Sequence, residues 1–175
     1  MEVKDLPEHL RPDKLLEFKP YHFWVNKKDP AKKMTLADSF VDEVMREQHI
    51  KFHPEITHII PFGDGRLCVV ASVEVWKSGS ESPIIDKVKA FASVTEMPRP
   101  GGQTHYAQLA ITRALKTAVI RLLGISDHDI ELIISAYGID QKMVPSSLRG
   151  NEAEVEEVAS LPEVVEPDID LNLGL

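Results

Sequence analysis

The sequence predicts an α+β domain in which a three-stranded antiparallel β-meander packs against a long amphipathic helix and flanking helices. The first observation is a period of two in apolar residues between positions 56 and 96, interrupted by two glycine-containing turns. Alternation of this kind marks half-buried strands, and short turns between strands favour antiparallel pairing. The second observation is apolar residues at helical spacing at 36–48 and 104–123, on either side of the strands. The 175 residues suffice for one core.

Residues 1–34 are predicted to form an irregular lead, because prolines at positions 7, 12, 20 and 30 discourage a long helix. A short strand is expected at 21–25, where the aromatic residues Tyr21, Phe23 and Trp24 lie close to a run of lysines. The lysines that follow this strand are Lys27, Lys28, Lys32 and Lys33. Two interpretations stay open: a solvated charged loop, or a strip that binds a phosphate backbone and stacks bases.

The core domain is predicted over residues 35–142, and its first element is a helix at 36–48. Thr35 is the expected N-cap of this helix, with Asp38 as a weak capping-box partner. Strands follow at 56–62, 66–77 and 84–96, and the first turn between them is Gly63-Asp64-Gly65.

The third strand shows the alternation most clearly. Its apolar positions are Val88, Ala90, Ala92 and Val94, and the positions between them are Lys87, Lys89, Phe91 and Ser93. This pattern predicts one apolar face and one face that is cationic or aromatic.

The longest helix is predicted over residues 104–123 and ends at Gly124. A rotation of about 100° per residue places one apolar stripe on this helix, formed by Ile111, Leu115, Ala118 and Leu122. Arg113, Lys116 and Arg121 lie on the opposite arc, and no acid occurs in the segment, so these cations are expected to lack ion-pair partners. A shorter helix is predicted at 127–137, between Ser126 and Gly138.

Residues 143–175 are predicted to be a linker and an acidic, disordered tail. The tail, 152–175, holds eight acidic residues and no Lys or Arg, so it accounts for the whole net charge of −8. Its last apolar residues alternate with other residues; they are Ile169, Leu171, Leu173 and Leu175. This spacing suits an extended peptide that binds a protein partner, and a tail without any role stays open as the alternative.

The residues give no positive signal for catalysis. Seven histidines are present, but the His49/His53 pair spans the expected end of a helix, and His128 lies where a helix N-terminus explains its acidic neighbours. We therefore expect no metal, no cofactor and no enzyme activity. Cys68 lies in an apolar stretch and is expected to be buried. No apolar run approaches the roughly 18 residues that span a bilayer, so a cytoplasmic location without membrane contact is expected.

One segment resembles a known family. Residues 108–125, Gln-Leu-Ala-Ile-Thr-Arg-Ala-Leu-Lys-Thr-Ala-Val-Ile-Arg-Leu-Leu-Gly-Ile, are similar to the signature helix of Erf-type phage single-strand annealing proteins. The matching positions are Ala110, Thr112, Ala114, Ala118 and Leu122-Leu123-Gly124-Ile125, and Lys116 takes the place of the second family arginine. The order of a helix, a meander and a long basic helix also looks similar to the eukaryotic recombination annealing mediator.

The resemblance implies a homo-oligomeric ring or filament of phage or bacterial type that binds single-stranded DNA (ssDNA) and anneals complementary strands without ATP, in recombination and repair. The expected DNA-binding residues are Arg113, Lys116, Arg121, Lys87, Lys89, Lys27, Lys28, Lys32 and Lys33. Two alternatives stay open: an oligomeric adaptor or scaffold whose tail 152–175 binds a protein partner, and a small enzyme that uses the histidines.

Overall fold

The computed structural model describes residues 1–25, 34–79, 87–96 and 102–145, which form an α+β fold. In chain order the strands and helices of these residues are β1 (Phe23–Trp24), β2 (Thr35–Leu36), α1 (Asp38–Glu47), β3 (Ile50–Pro61), β4 (Leu67–Lys77), β5 (Val88–Glu96), α2 (Gly102–Leu122) and α3 (Asp127–Tyr137). Short 3-10 turns at Val3–Asp5, Glu8–Leu10 and Pro20–His22 shape the lead. The predicted α+β class and three-stranded antiparallel sheet are confirmed.

The three-stranded sheet has the order β3-β4-β5, so β4 is central and both of its neighbours are antiparallel to it. The predicted turn between the first two strands is confirmed: the Phe62 N–H donates to the Arg66 carbonyl at 2.8 Å, and Gly65 has a φ of 87°. The first strand is longer than predicted and begins at Ile50. This strand includes Pro54, which has no N–H to donate. An edge strand tolerates proline, because a position whose N–H would face away from the ladder loses no hydrogen bond between strands.

The predicted start of the first helix is wrong. Thr35 and Leu36 do not cap or begin α1; they pair as β2 with Trp24 and Phe23 of the lead. The helix starts at Asp38, and Ala37 occupies its N-cap position without a side-chain hydrogen bond. Pairing with a segment distant in sequence therefore overrides the local capping signal.

The lead contributes directly to the hydrophobic core. Phe18 and Phe23 are 3% and 0% exposed, and the Phe18 ring stacks on Phe40 of α1 at a centroid distance of 5.5 Å. The same apolar cluster holds residues from the sheet and all three helices, among them Leu6, Leu10, Val44, Val73, Val75, Ala114, Ala118 and Ile133. The irregular lead is thus packed into the body of the molecule. Cys68 is buried on β4, as predicted.

The face of α2 that is fully buried differs from the predicted stripe. It consists of Tyr106, Val119 and three alanines at i, i+4 spacing, Ala110, Ala114 and Ala118, each 0–1% exposed; of these residues only Ala118 belongs to the predicted stripe. The predicted stripe residues Ile111, Leu115 and Leu122 are only half-buried at its side. Small side chains allow the helix backbone to approach the sheet closely, whereas larger ones fill the flanks.

The end of α2 and the whole of α3 follow the sequence signals. Gly124 has a φ of 68°, which suits its predicted place after the helix. Helix α3 runs over the predicted residues: the Ser126 hydroxyl accepts from the Asp129 N–H at 3.2 Å, and the Ser126 N–H donates to the Asp129 carboxylate at 2.8 Å. Gly138 ends the helix in the left-handed region.

A buried histidine connects the lead to α1. His22 is 0% exposed; its Nδ1 accepts from the Lys19 backbone N–H at 3.2 Å, and its Nε2 lies 3.0 Å from Glu43 Oε2. Because Nδ1 is an acceptor, the neutral ring carries its proton on Nε2 and donates to Glu43. The Tyr21 hydroxyl donates to the same carboxylate oxygen at 2.9 Å. The hydrogen bond from His22 holds the pKa of Glu43 below its ordinary value, although desolvation opposes it.

We expect Glu43→Gln to lower the free energy of unfolding at pH 7 by about 1–2 kcal/mol, because two hydrogen bonds lose their charged acceptor. A carboxyl whose pKa is lowered by folding stabilises the protein above its unfolded pKa, and this contribution is lost as pH falls through the folded pKa. The stability difference between wild type and variant should therefore shrink between about pH 5 and pH 3. Urea unfolding at several pH values measures it.

Glu47→Gln is the matched control, since Glu47 lies on the same helix and is exposed. Equal effects of the two substitutions, or a difference that does not depend on pH, would contradict the role of Glu43.

Candidate nucleic-acid interface

One face of the sheet is covered by α2, and no helix of the described residues packs on the other face. Val73 and Val75 of β4, together with Ala90 of β5, belong to the same apolar cluster as Ala114 and Ala118 of α2. Cross-strand partners alternate between the two faces, so the neighbouring positions lie on the other side. We call that side the open face; its residues are Lys51, His53, Glu55, His58 and Ile60 of β3, Cys68, Val70, Ser72, Glu74 and Trp76 of β4, and Lys87, Lys89, Phe91, Ser93 and Thr95 on or just before β5.

Two aromatic side chains lie beside lysines on the open face. Phe91 is 60% exposed, and the Lys89 ammonium lies 5.5 Å from the centroid of its ring. The Lys87 ammonium lies 5.1 Å from the Trp76 centroid. Exposed aromatic rings next to cations are the combination that proteins use to stack single-stranded bases while holding the phosphate backbone.

The aromatic residues singled out from the sequence are less suited to stacking. Phe23 is fully buried, the hydroxyl of Tyr21 is held by Glu43, and Trp24 is half-buried in β1. Sequence reasoning missed Phe91 as a candidate, although its alternation with Lys89 in the predicted strand was the signal that could have found it.

Acidic residues accompany the predicted lysines of the open face. The Lys87 ammonium lies 3.7 Å from Glu74 Oε2, and the Lys89 ammonium lies 3.7 Å from Glu55 Oε2. The hydroxyl of Ser72 donates to the same Glu55 oxygen at 3.4 Å. With Lys51, the open face thus carries three lysines and two glutamates, which makes it only weakly positive.

The cations of α2 form a separate set. The sequence predicted that Lys116 has no ion-pair partner, and this is wrong. Its ammonium lies 3.7 Å from Asp38 Oδ1 at the start of α1. Arg121 is exposed and Arg113 is half-buried. Since α2 lies on the covered side of the sheet, none of these three cations shares a surface with Lys87 and Lys89. The remaining predicted DNA-binding residues, Lys27, Lys28, Lys32 and Lys33, lie outside the described residues, as does the acidic tail.

A second exposed surface runs along β3. Phe52, Ile56 and Ile59 point to the same side of the sheet as α2, yet they are 44%, 36% and 56% exposed, because the helix lies over β4 and β5. We call these three residues the β3 strip. A period of two predicts the side to which a strand residue points, but not whether another layer covers it.

The part of the chain that the structure describes holds no group of three or more His, Cys, Asp or Glu residues placed to bind a metal ion. His49 lies in the turn before β3, and His53 lies within that strand, so they share no helix. His128 lies in the first turn of α3, 4.0 Å from Glu131. None of the described helices combines the length and apolar character needed to cross a membrane.

Comparison with models of known protein families finds no matching family, and comparison with curated proteins finds no relative. The resemblance to Erf-type annealing proteins therefore remains an expectation from the sequence. A function can be proposed only together with the geometry of the described residues.

Proposed function

We propose that this protein binds ssDNA on the open face of its sheet and promotes ATP-independent annealing of complementary strands in recombination or repair, as a homo-oligomer. The observation that carries the proposal is Phe91, an aromatic side chain left 60% exposed beside Lys89 on the open face of the sheet. In this proposal the sheet, with α2 packed on its other side, is the annealing-type core that the resemblance implies.

Stacking suits a protein that must accept any sequence. Every base has a π-face, and stacking on an aromatic side chain contributes about 1–3 kcal/mol per base. Lysines contact phosphate without regard to sequence, so Lys51, Lys87 and Lys89 add affinity but no base preference. Neither kind of contact reads the hydrogen-bonding edges of the bases, and those edges stay available for a complementary strand.

The glutamates of the open face keep the electrostatic part of this binding modest. Phosphate must displace Glu74 from Lys87 and Glu55 from Lys89 before the lysines bind DNA. Exposed ion pairs of this kind are worth at most about 1 kcal/mol, so displacement is feasible but lowers the net gain. A strand held in this way can be released once it has paired.

The second candidate function is a protein scaffold, which the β3 strip favours. Contiguous exposed apolar side chains on a sheet are typical of protein–protein contacts. Self-association through this strip fits both candidates, because an annealing protein also acts as an oligomer. The two candidates differ in ssDNA binding.

Phe91→Ala should weaken binding to a short oligo-dT by roughly 5- to 100-fold, the loss expected for one stacked base, and should leave the salt dependence of binding nearly unchanged. Lys87→Ala with Lys89→Ala should instead flatten the slope of log affinity against log salt by roughly two ions. Fluorescence anisotropy at several salt concentrations measures both effects.

Phe62→Ala serves as the control for Phe91. Phe62 is 41% exposed and also lies beside a cation, since the Arg66 guanidinium is 5.3 Å from its ring centroid, but it lies in the β3–β4 turn, at the other end of the hairpin from Trp76. If wild type binds no ssDNA, the proposed function is wrong. If Phe91→Ala and Phe62→Ala behave alike, the stacking role of Phe91 is wrong.

Neutralising the acids of the open face should strengthen DNA binding. Glu55→Gln with Glu74→Gln frees Lys89 and Lys87 for phosphate, so affinity for oligo-dT should rise several-fold at low salt and converge with wild type at high salt. Unaltered or weaker binding in a folded double variant would place the DNA elsewhere.

Ile59→Asp should shift the protein from its oligomer towards the monomer, because a carboxylate on the β3 strip would have to be buried in the contact. Light scattering after size-exclusion chromatography measures this change. Met143→Asp is the matched control, since Met143 is 58% exposed and lies outside the strip. An Ile59→Asp protein of unchanged mass would exclude the strip as the subunit contact.

A further inference from the structure

A pocket of about 630 Å³ lies between the lead and the C-terminal end of α2. Three leucines supply its apolar surface, Leu15 from the lead and Leu122 and Leu123 from the end of α2. The polar lining residues are Glu8, His9, Lys14 and Lys77. The pocket therefore combines an apolar surface with two lysines and a histidine around one acid.

A side chain on α1's C-terminal end holds these elements together. The Gln48 amide donates to the Lys14 and Leu15 carbonyls at 3.2 and 3.1 Å, and its oxygen accepts from the Lys77 ammonium at 3.4 Å. The lead, α1 and the end of β4 are thus joined at the pocket. Its lysines are held near each other by backbone and amide contacts.

The two pocket lysines differ from Lys87, Lys89 and Lys116 in their carboxylate partners. Lys87, Lys89 and Lys116 each have a carboxylate within 4.0 Å, whereas Lys14 and Lys77 have no such partner among the described residues. Two cations beside the half-buried side chains of Leu122 and Leu123 form a site for a ligand that is both acidic and apolar.

We propose that this pocket binds residues 168–175 of the same chain. The segment reads Asp-Ile-Asp-Leu-Asn-Leu-Gly-Leu, so it supplies two carboxylates for Lys14 and Lys77 and several branched apolar side chains for the leucines. If the segment binds as an extended peptide, Leu171 and Leu173 would lie on one side of it and Asp170 on the other, so that the leucines would face the pocket's apolar surface and the acid its rim.

The chain is long enough for this contact. Val144 is buried in the core, and residues 146–167 separate it from the proposed ligand. Extended, a segment of this length spans roughly 70 Å, which exceeds the dimensions of a domain of this size. Tethering also gives the peptide an effective concentration in the millimolar range, so a weak contact is sufficient.

Nucleic acid fits the pocket less well. The surface beneath the lysines is formed by leucines, and the His9 imidazole is the one aromatic ring that the pocket lining offers to a base. Glu8 would also lie next to a phosphate backbone. The tail peptide instead offers leucine side chains to the pocket leucines and carboxylates to Lys14 and Lys77.

Disulfide trapping in the full chain tests the proposal. In a Cys68→Ala background, Glu8→Cys places a thiol on the pocket lining without removing either lysine, and Asn172→Cys places one in the tail. We expect an intramolecular disulfide that forms at least about ten times faster than in the matched control pair, Asp64→Cys with Asn172→Cys. Asp64 is an exposed acid at the other end of the β3–β4 hairpin.

Charge reversal and tail variants complete the test. Lys14→Glu with Lys77→Glu, or Leu171→Asp with Leu173→Asp, should lower the trapping rate at the pocket to that of the control pair. Similar rates for the two cysteine pairs would overturn the proposal, and so would disulfide-linked dimers, which would assign the pocket to the tail of a second copy. It also falls if the lysine reversal weakens ssDNA binding while leaving trapping unchanged, because the pocket would then bind nucleic acid.

Discussion

Helix α2 can lie against only one face of the three-stranded sheet, and most other features of the molecule depend on this constraint. Its alanines bring the helix backbone close to β4 and β5, and the core continues from there into the lead, α1 and α3. The opposite face receives no helix from the described residues, and β3 projects beyond the edge of the covered area. The open face and the β3 strip are therefore two consequences of one packing arrangement, and both are surfaces on which binding can be proposed.

Local signals in the sequence were sufficient where neighbours along the chain determine the structure. The capping box of Ser126 and Asp129 and the left-handed Gly138 delimit α3 at the predicted residues. The same kind of signal failed at Thr35, because β2 pairs with β1 of the lead, from which positions 25–34 separate it in the sequence. The buried face of α2 was also predicted incorrectly. The helical-wheel argument assigned large apolar side chains to the buried stripe, whereas close packing of a helix on a sheet favours alanine.

The candidate site could be predicted only in part, because charge partners come from distant positions. The sequence placed Lys89 and Phe91 on one face of a strand, and the structure agrees. It offered no way to foresee that Glu55, two strands away, reaches Lys89, or that Asp38 of α1 reaches Lys116. The absence of acids within α2 therefore said little about the electrostatic surroundings of its cations. The contribution of a lysine to DNA binding can be judged only when the carboxylates that lie near it in the folded structure are known.

The pocket and the open face meet at one end of the sheet, and this proximity connects the two proposals. Lys77 of the pocket is the register partner of Ile50, and the adjacent pair is Lys51 with Trp76, both on the open face. The backbones of Lys77 and Trp76 are neighbours, about 3.3 Å apart along the strand, but the side chains of Lys77 and Lys51 point to opposite faces of the sheet. Charges at the two sites therefore interact around the edge of the sheet and are partly screened at physiological salt. Carboxylates bound at Lys77 would thus lower the positive potential around Lys51 and Lys87. Since the open face has only a small excess of positive charge, an acidic peptide bound at its edge would reduce the net electrostatic attraction that we propose for a phosphate backbone.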